Sequence, residues 1–191
     1  MRFVDEAYDK SPIALRGEHQ KLNAVVAIAA IGAAKIDIDE SAIARGLATV
    51  EWPGRFQCWD KRTIIDGAHN PSAAKILADT WQEIFGDERA TLILAVLSDK
   101  DSRKICETLA PIADFVLLPK IRTERAVDPA ELRKIFRDLG LNSEIFVSFA
   151  EALAKGRERA APMLITGSLH FAGEALALLQ GKPAAFEECA Q

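Results

Sequence analysis

Short apolar runs and longer amphipathic segments take turns along most of this chain. Arg62 to Asp66 is a β-branched run, and Asn70 to Phe85 has helical spacing. Thr91 to Leu97 (TLILAVL) is a continuous apolar strand, with a helix near Ser102 to Leu109. Asp114 to Leu118, Glu144 to Val147 and Met163 to Thr166 read as further strands. Helices over Asp128 to Leu139, Phe149 to Arg159 and Leu169 to Gln180 follow them in turn. Phe56 to Trp59 adds an edge strand, paired with Arg62 to Asp66 as a hairpin across Asp60-Lys61. Strands that are apolar throughout and alternate with helices predict a mostly parallel sheet covered on both faces. The expected fold class is α/β, a doubly wound sheet of about six strands.

The first 50 residues follow a different pattern. Glu18 to Lys35 reads as a helix, with Leu22, Val25, Val26, Ala29 and Ala30 at helical spacing. Asp39 to Val50 reads as a second helix that opens on acids, as a helix N-terminus prefers. Two helices do not make a domain. Pro53-Gly54 breaks the pattern, so residues 1–52 are read as the end of one domain and 53–191 as another. The first 12 residues read as a polar arm, and the tail after Gly181 as frayed.

Composition removes several function classes. The 191 residues carry a net charge of −4 and no long basic run, so no nucleic-acid footprint is present. Cys58, Cys106 and Cys189 are far apart, with no zinc spacing, which fits a reducing, cytoplasmic setting. The longest apolar stretch, Ala24 to Ala34, is too short to span a bilayer.

Ligands of open parallel sheets bind where strands turn into helices at their carboxyl ends. Three such junctions carry polar chemistry. In the first, Asp66-Gly67-Ala68-His69-Asn70-Pro71, Asp66 can accept from ribose hydroxyls and His69 can donate to ribose or phosphate. Asn70 and Pro71 suit simple helix capping. In the second, Ser98-Asp99-Lys100-Asp101, Lys100 is a mobile charge for an anionic substrate, or part of an ordinary capped turn. In the third, Gly167-Ser168-Leu169-His170, Ser168 is either an N-cap or a group at the reacting centre. Ser168, His69 and Asp66 also supply the residue types of a hydrolase triad, but no G-x-S-x-G elbow surrounds the serine. Arg55 at the linker can close onto a phosphate. Gln20 and Asn23 share a helix face, and an amide there can read an adenine edge.

Taken in order, LRGEHQKLNAVVAIAA, WPGRF, IIDGAHNPSAAKIL, VLSDKD and ITGSLHFAGEAL resemble the successive motifs of folylpolyglutamate synthase/dihydrofolate synthase, a branch of the Mur ligase superfamily. The resemblance runs from about Leu15 to Leu179. It implies a C-terminal Rossmann-like domain behind a P-loop ATPase domain. It also implies an ATP- and Mg²⁺-dependent ligase that joins L-glutamate to dihydropteroate or folate through an acyl phosphate. Carried over by motif, Asn23 meets adenine, Arg55 the phosphates, and Asp66 and His69 the ribose-phosphate side of ATP. Lys100 and Ser168 lie toward glutamate or the reacting centre. No G-x-x-G-K-[ST] occurs in the 191 residues, so the Mg²⁺ ligands are expected in an ATPase domain that this chain lacks. The resemblance thus implies a C-terminal part of the enzyme, without turnover alone. The alternative is a free-standing nucleotide or amino-acid binding module.

Overall fold

The structure, a computed structural model, describes residues 12–182. Most of the expected polar arm and nearly all of the tail, with Cys189, lie outside these residues. The chain divides into two compact units between Pro53 and Gly54.

The first unit holds helices α1 (Glu18–Ala33) and α2 (Glu40–Thr49). Asp39 caps α2 by accepting the Ser41 N–H at 2.8 Å. Only Gln20 and Ala24 are buried among the described residues of this unit, whereas Leu22 and Val26 on α1 are exposed.

The second unit alternates as the apolar runs predict. Its elements are β1 (Gln57–Asp60), β2 (Thr63–Ile65), α3 (Pro71–Phe85), β3 (Ala90–Leu94), α4 (Ser102–Leu109), β4 (Ala113–Pro119), α5 (Pro129–Asp138), β5 (Ser143–Phe146), α6 (Phe149–Arg157), β6 (Met163–Thr166) and α7 (Leu169–Leu179). The sheet order is β1-β2-β6-β3-β4-β5. β1 pairs antiparallel with β2, and all other pairs are parallel.

The apolar strands serve two cores at once, because successive side chains leave a strand on opposite faces. Leu92, Leu94, Val116 and Leu118 pack on one face with Trp81, Cys106 and Phe136 from α3, α4 and α5. Ile93, Leu117 and Ile165 pack on the other with Phe149 and Phe171 from α6 and α7. Trp81 is fully buried, stacks on Phe85 and donates its indole N–H to the Glu88 carbonyl at 2.7 Å.

One strand is shorter than expected. The run TLILAVL leaves the sheet after Leu94, although Ala95 and Val96 stay buried. Residues 96–98 pair instead with the loop that follows β4. Val127 N–H donates to Val96 O at 2.8 Å, and Ser98 N–H to Arg125 O at 2.7 Å. Two arginines brace the amino-terminal edge of the sheet. Arg62 donates to the carbonyls of Arg159, Ala160 and Ala161. Arg159 pairs with Asp114 at 2.7 Å and lies 4.2 Å from the Phe115 ring centre.

Candidate functional site

The sheet order creates a crevice at the carboxyl edge. β6 lies between β2 and β3. The helices that follow β2 and β3 cover one face, while the helix after β6 covers the other. Neighbouring strands whose chains depart to opposite faces leave the opening in which ligands of such sheets bind. Hydrogen bonds draw the strand ends together: Asp66 N–H donates to Ile165 O at 3.0 Å, and Ala95 N–H to Thr166 O at 3.2 Å. Gly167 makes the closest approach to backbone. Its φ is +116°, and a Cβ there would stand 2.5 Å from Ala95 O. Only glycine lets the β6–α7 turn lie against the end of β3.

The first junction carries Arg55 with it. Gly67 N–H donates to Gly54 O at 2.8 Å. Asp66 Oδ2 accepts the Phe56 N–H and its Oδ1 the Ala68 N–H, each at 2.8 Å. The residues on both sides of Arg55 are therefore tied to the Asp66–Gly67 turn. Gly54 (φ +70°) and Phe56 (φ +42°) adopt the left-handed conformation, and the Asp66 bond helps hold the non-glycine residue there. No hydrogen bond or ion pair occupies the Arg55 side chain among the described residues. His69 Nδ1 lies 3.0 Å from the Gly67 carbonyl oxygen. A carbonyl only accepts, so Nδ1 carries the proton and Nε2 is the remaining polar atom. Neutral His69 then accepts at Nε2, and only the imidazolium donates there. Asn70 caps α3 through the Ala73 N–H at 2.8 Å, with Pro71 at the first helical position.

At the second junction Lys100 Nζ pairs with Asp99 Oδ2 at 2.8 Å. The Asp99 carboxyl is held below its ordinary value, first by that hydrogen bond and further by the Lys100 and Arg125 charges. Asp101 caps α4 by accepting the Lys104 N–H at 3.0 Å.

At the third junction Ser168 is 1% exposed and caps α7, its Oγ accepting the Phe171 N–H at 3.0 Å. That is the capping role, and it withdraws the hydroxyl from solvent. The triad geometry is also missing. The imidazole nitrogen that an orienting acid would take faces Gly67 O, and both Asp66 oxygens hold backbone amides. One turn into α7, burial raises the Glu174 carboxyl above its ordinary value, against the opposing effects of the Arg122 amide and of His170. Its Oε2 is buried with no hydrogen-bond partner among the described residues.

Asn23 belongs to the first unit. It donates from Nδ2 to Gln20 Oε1 at 2.9 Å, which leaves its Oδ1 to accept. Among the described residues no group of three or more His, Cys, Asp or Glu could hold a metal ion. No helix among them is long and apolar enough to cross a membrane.

Residues 54–169 match the family model described as "Mur ligase, glutamate ligase domain". The chain belongs to the Mur ligase family. Its relatives carry the resemblance across the linker as well. A probable bifunctional folylpolyglutamate synthase/dihydropteroate synthase of Haloferax volcanii is 35% identical over 85% of this chain and 20% of its own length. The crystal structures of Mycobacterium tuberculosis folylpolyglutamate synthase complexed with ADP and AMPPCP share 30% identity and a TM-score of 0.76. That match covers 87% of this chain and 41% of the other. Escherichia coli FolC in complex with DHPP and ADP is 27% identical over 90% of this chain and 41% of its own, with a TM-score of 0.76. This Mur ligase family chain thus spans a fifth of the Haloferax relative and about two-fifths of each solved one. The sequence reading did not single out Arg125 or Glu174. Arg125 meets Asp99 only through a long-range bridge between Leu97 and Ala126, which no local spacing announces.

Proposed function

We propose that this chain is the C-terminal part of an ATP-dependent ligase that adds L-glutamate to dihydropteroate or folate through an acyl phosphate. The observation that carries the reading is the fastening of Arg55 to the Asp66–Gly67 turn, at the switch point of the sheet, in a Mur-type domain. The related solved enzymes hold ADP, and one holds DHPP with it.

The chemistry brings a phosphorylated acid and an anionic amino acid together. Their repulsion has to be offset by fixed positive charge aimed at the reacting groups. In this reading Arg55 faces the phosphates and Lys100 the glutamate carboxylate. Asp66 holds the Arg55 segment in place through the Phe56 amide and lies on the ribose side of ATP. His69 accepts from a ribose hydroxyl at Nε2 when neutral and donates to phosphate when protonated. Asn23 Oδ1 accepts from the adenine amino group. Ser168 acts by fixing the start of α7, not as a nucleophile. Excluding water from the crevice protects an acyl phosphate from hydrolysis. The P-loop and the divalent ion belong to an ATPase domain that the 191 residues do not contain, and the exposed Leu22–Val26 face of α1 packs within it.

The test is an amide shift map of the 191-residue chain titrated with L-glutamate and with a non-hydrolysable ATP analogue. Shifts are expected at residues 54–56, 66–70 and 97–101, with no ATP turnover by the chain alone. Shifts confined to the opposite sheet edge, around Arg62, Asp114 and Arg159, would overturn the reading. So would ATP hydrolysis by the pure chain.

A further inference from the structure

Lys100 shares its partner. Asp99 divides its two carboxylate oxygens between cations from separate loops: Oδ2 meets Lys100 Nζ at 2.8 Å, and Oδ1 meets Arg125 Nη2 at 3.4 Å. The backbone places both cations. Ser98 N–H binds Arg125 O at 2.7 Å and Val127 N–H binds Val96 O at 2.8 Å, so the two loops stay paired whatever side chain stands at position 99. The neighbouring acid is engaged elsewhere: Asp101 caps α4 and lies 3.6 Å from Lys104.

A carboxylate bracketed by an ammonium and a guanidinium is also how a protein holds a ligand's carboxylate or phosphate. The side chains of Lys100, Asp99 and Arg125 are 32%, 45% and 66% exposed, so water reaches all three. Exposed pairs of this kind are weak and exchange readily. We infer that Lys100 and Arg125 together form one anion site for a carboxylate or phosphate group, and that Asp99 is its resident placeholder, displaced when the ligand arrives. This rests on the reading of Lys100 as a substrate-facing cation.

The arrangement predicts effects of opposite sign. Removing the Asp99 charge leaves two uncompensated cations and strengthens anion binding. Removing Arg125 leaves Asp99 to Lys100 alone and weakens it. A purely structural Asp99–Arg125 pair would lose binding in both cases.

The experiment titrates the 191-residue chain with L-glutamate and, separately, with inorganic phosphate, following amide shifts over residues 97–127. Asp99→Asn is expected to tighten binding about threefold, and Arg125→Ala and Lys100→Ala to weaken it by about threefold or more, the scale of exposed ion pairs. Arg125→Lys should recover part of the loss. The tighter probe then assigns the site to an amino-acid carboxylate or to the phosphate side. Weaker or unchanged binding in Asp99→Asn overturns the placeholder. Unchanged binding in Arg125→Ala with a loss in Lys100→Ala overturns the two-cation site and leaves the Lys100 reading standing. Unchanged binding in Lys100→Ala, or no shift with either probe in any form, overturns both.

Discussion

Gly167 is the residue whose replacement should cost this fold most for the smallest change in chemistry. Adding one methyl group places a Cβ 2.5 Å from Ala95 O, 2.9 Å from Ala95 C and 2.9 Å from Leu94 Cδ1. Two of those atoms are backbone at the end of β3, so no rotamer change relieves the collision. Overpacking of this kind costs about 1–3 kcal/mol. The positive φ of +116° adds strain of about 1–3 kcal/mol for a residue with a side chain. Gly167→Ala is therefore expected to destabilise the chain by about 4 kcal/mol, a large part of a typical total of about 5–15 kcal/mol. Gly140→Ala is the control. Gly140 also has a positive φ, +74°, but nothing lies within 4 Å of its Cβ position, so a loss of about 1 kcal/mol is expected. Gly67→Ala falls between them, because the obstructing atom is the tip of the half-exposed Leu169 side chain, which can move. Urea unfolding of the three variants measures the order. If Gly167→Ala and Gly140→Ala came within about 1 kcal/mol of each other, the close approach of the β6–α7 turn to β3 would not matter as argued.

Other consequences follow from single contacts. Asp66→Ala strips the acceptor from the Phe56 and Ala68 amides in a half-buried turn and is expected to cost about 1–3 kcal/mol, with Asp66→Asn losing less because one oxygen remains. Equal losses in the two variants, by urea unfolding, would show that the amide bonds are not what the carboxylate supplies. Glu174 has a folded pKa raised above 4.5 by burial, so its contribution to stability is present below that value and is lost as pH rises through the folded pKa. Glu174→Gln is thus expected to flatten the fall in stability above pH 4.5, and an unchanged pH profile counts against the buried carboxyl. Burial pushes the Cys106 thiol up to about 12, whereas Cys58 is exposed. With Cys189 replaced by Ser, a thiol reagent near pH 8 should modify Cys58 at once and Cys106 only on unfolding. Fast modification of two thiols in the folded chain would contradict the packing of α4.

The element order was legible because the central strands β2, β3 and β6 are buried throughout and helices α3, α4 and α5 each carry an apolar stripe. Which face each strand residue serves was not, since Leu92 and Ile93 read alike and only the crossovers assign them to different cores. The run through Leu97 looked like one strand because burial, not sheet pairing, keeps Val96 apolar. Local grammar showed that Asn70 and Ser168 suit caps, and the structure uses both so. It placed Arg55 at a linker but gave no hint that Gly54 and Phe56 are bound to the Asp66 turn, a contact closed through the hairpin. Arg125 was invisible for the same reason: its loop follows β4, and only tertiary pairing returns it to Asp99.

The proposed function makes this domain the glutamate-handling part of a folate ligase. The most direct measurement is glutamate- and folate-dependent ADP release by Mycobacterium tuberculosis folylpolyglutamate synthase in which the matched part is replaced by this chain. The account predicts turnover that falls sharply in Arg55→Ala and Lys100→Ala, with the Lys100 change raising the KM for glutamate. A folded chimaera that binds ATP yet releases no ADP on adding glutamate and folate would contradict it, and so would turnover indifferent to both substitutions.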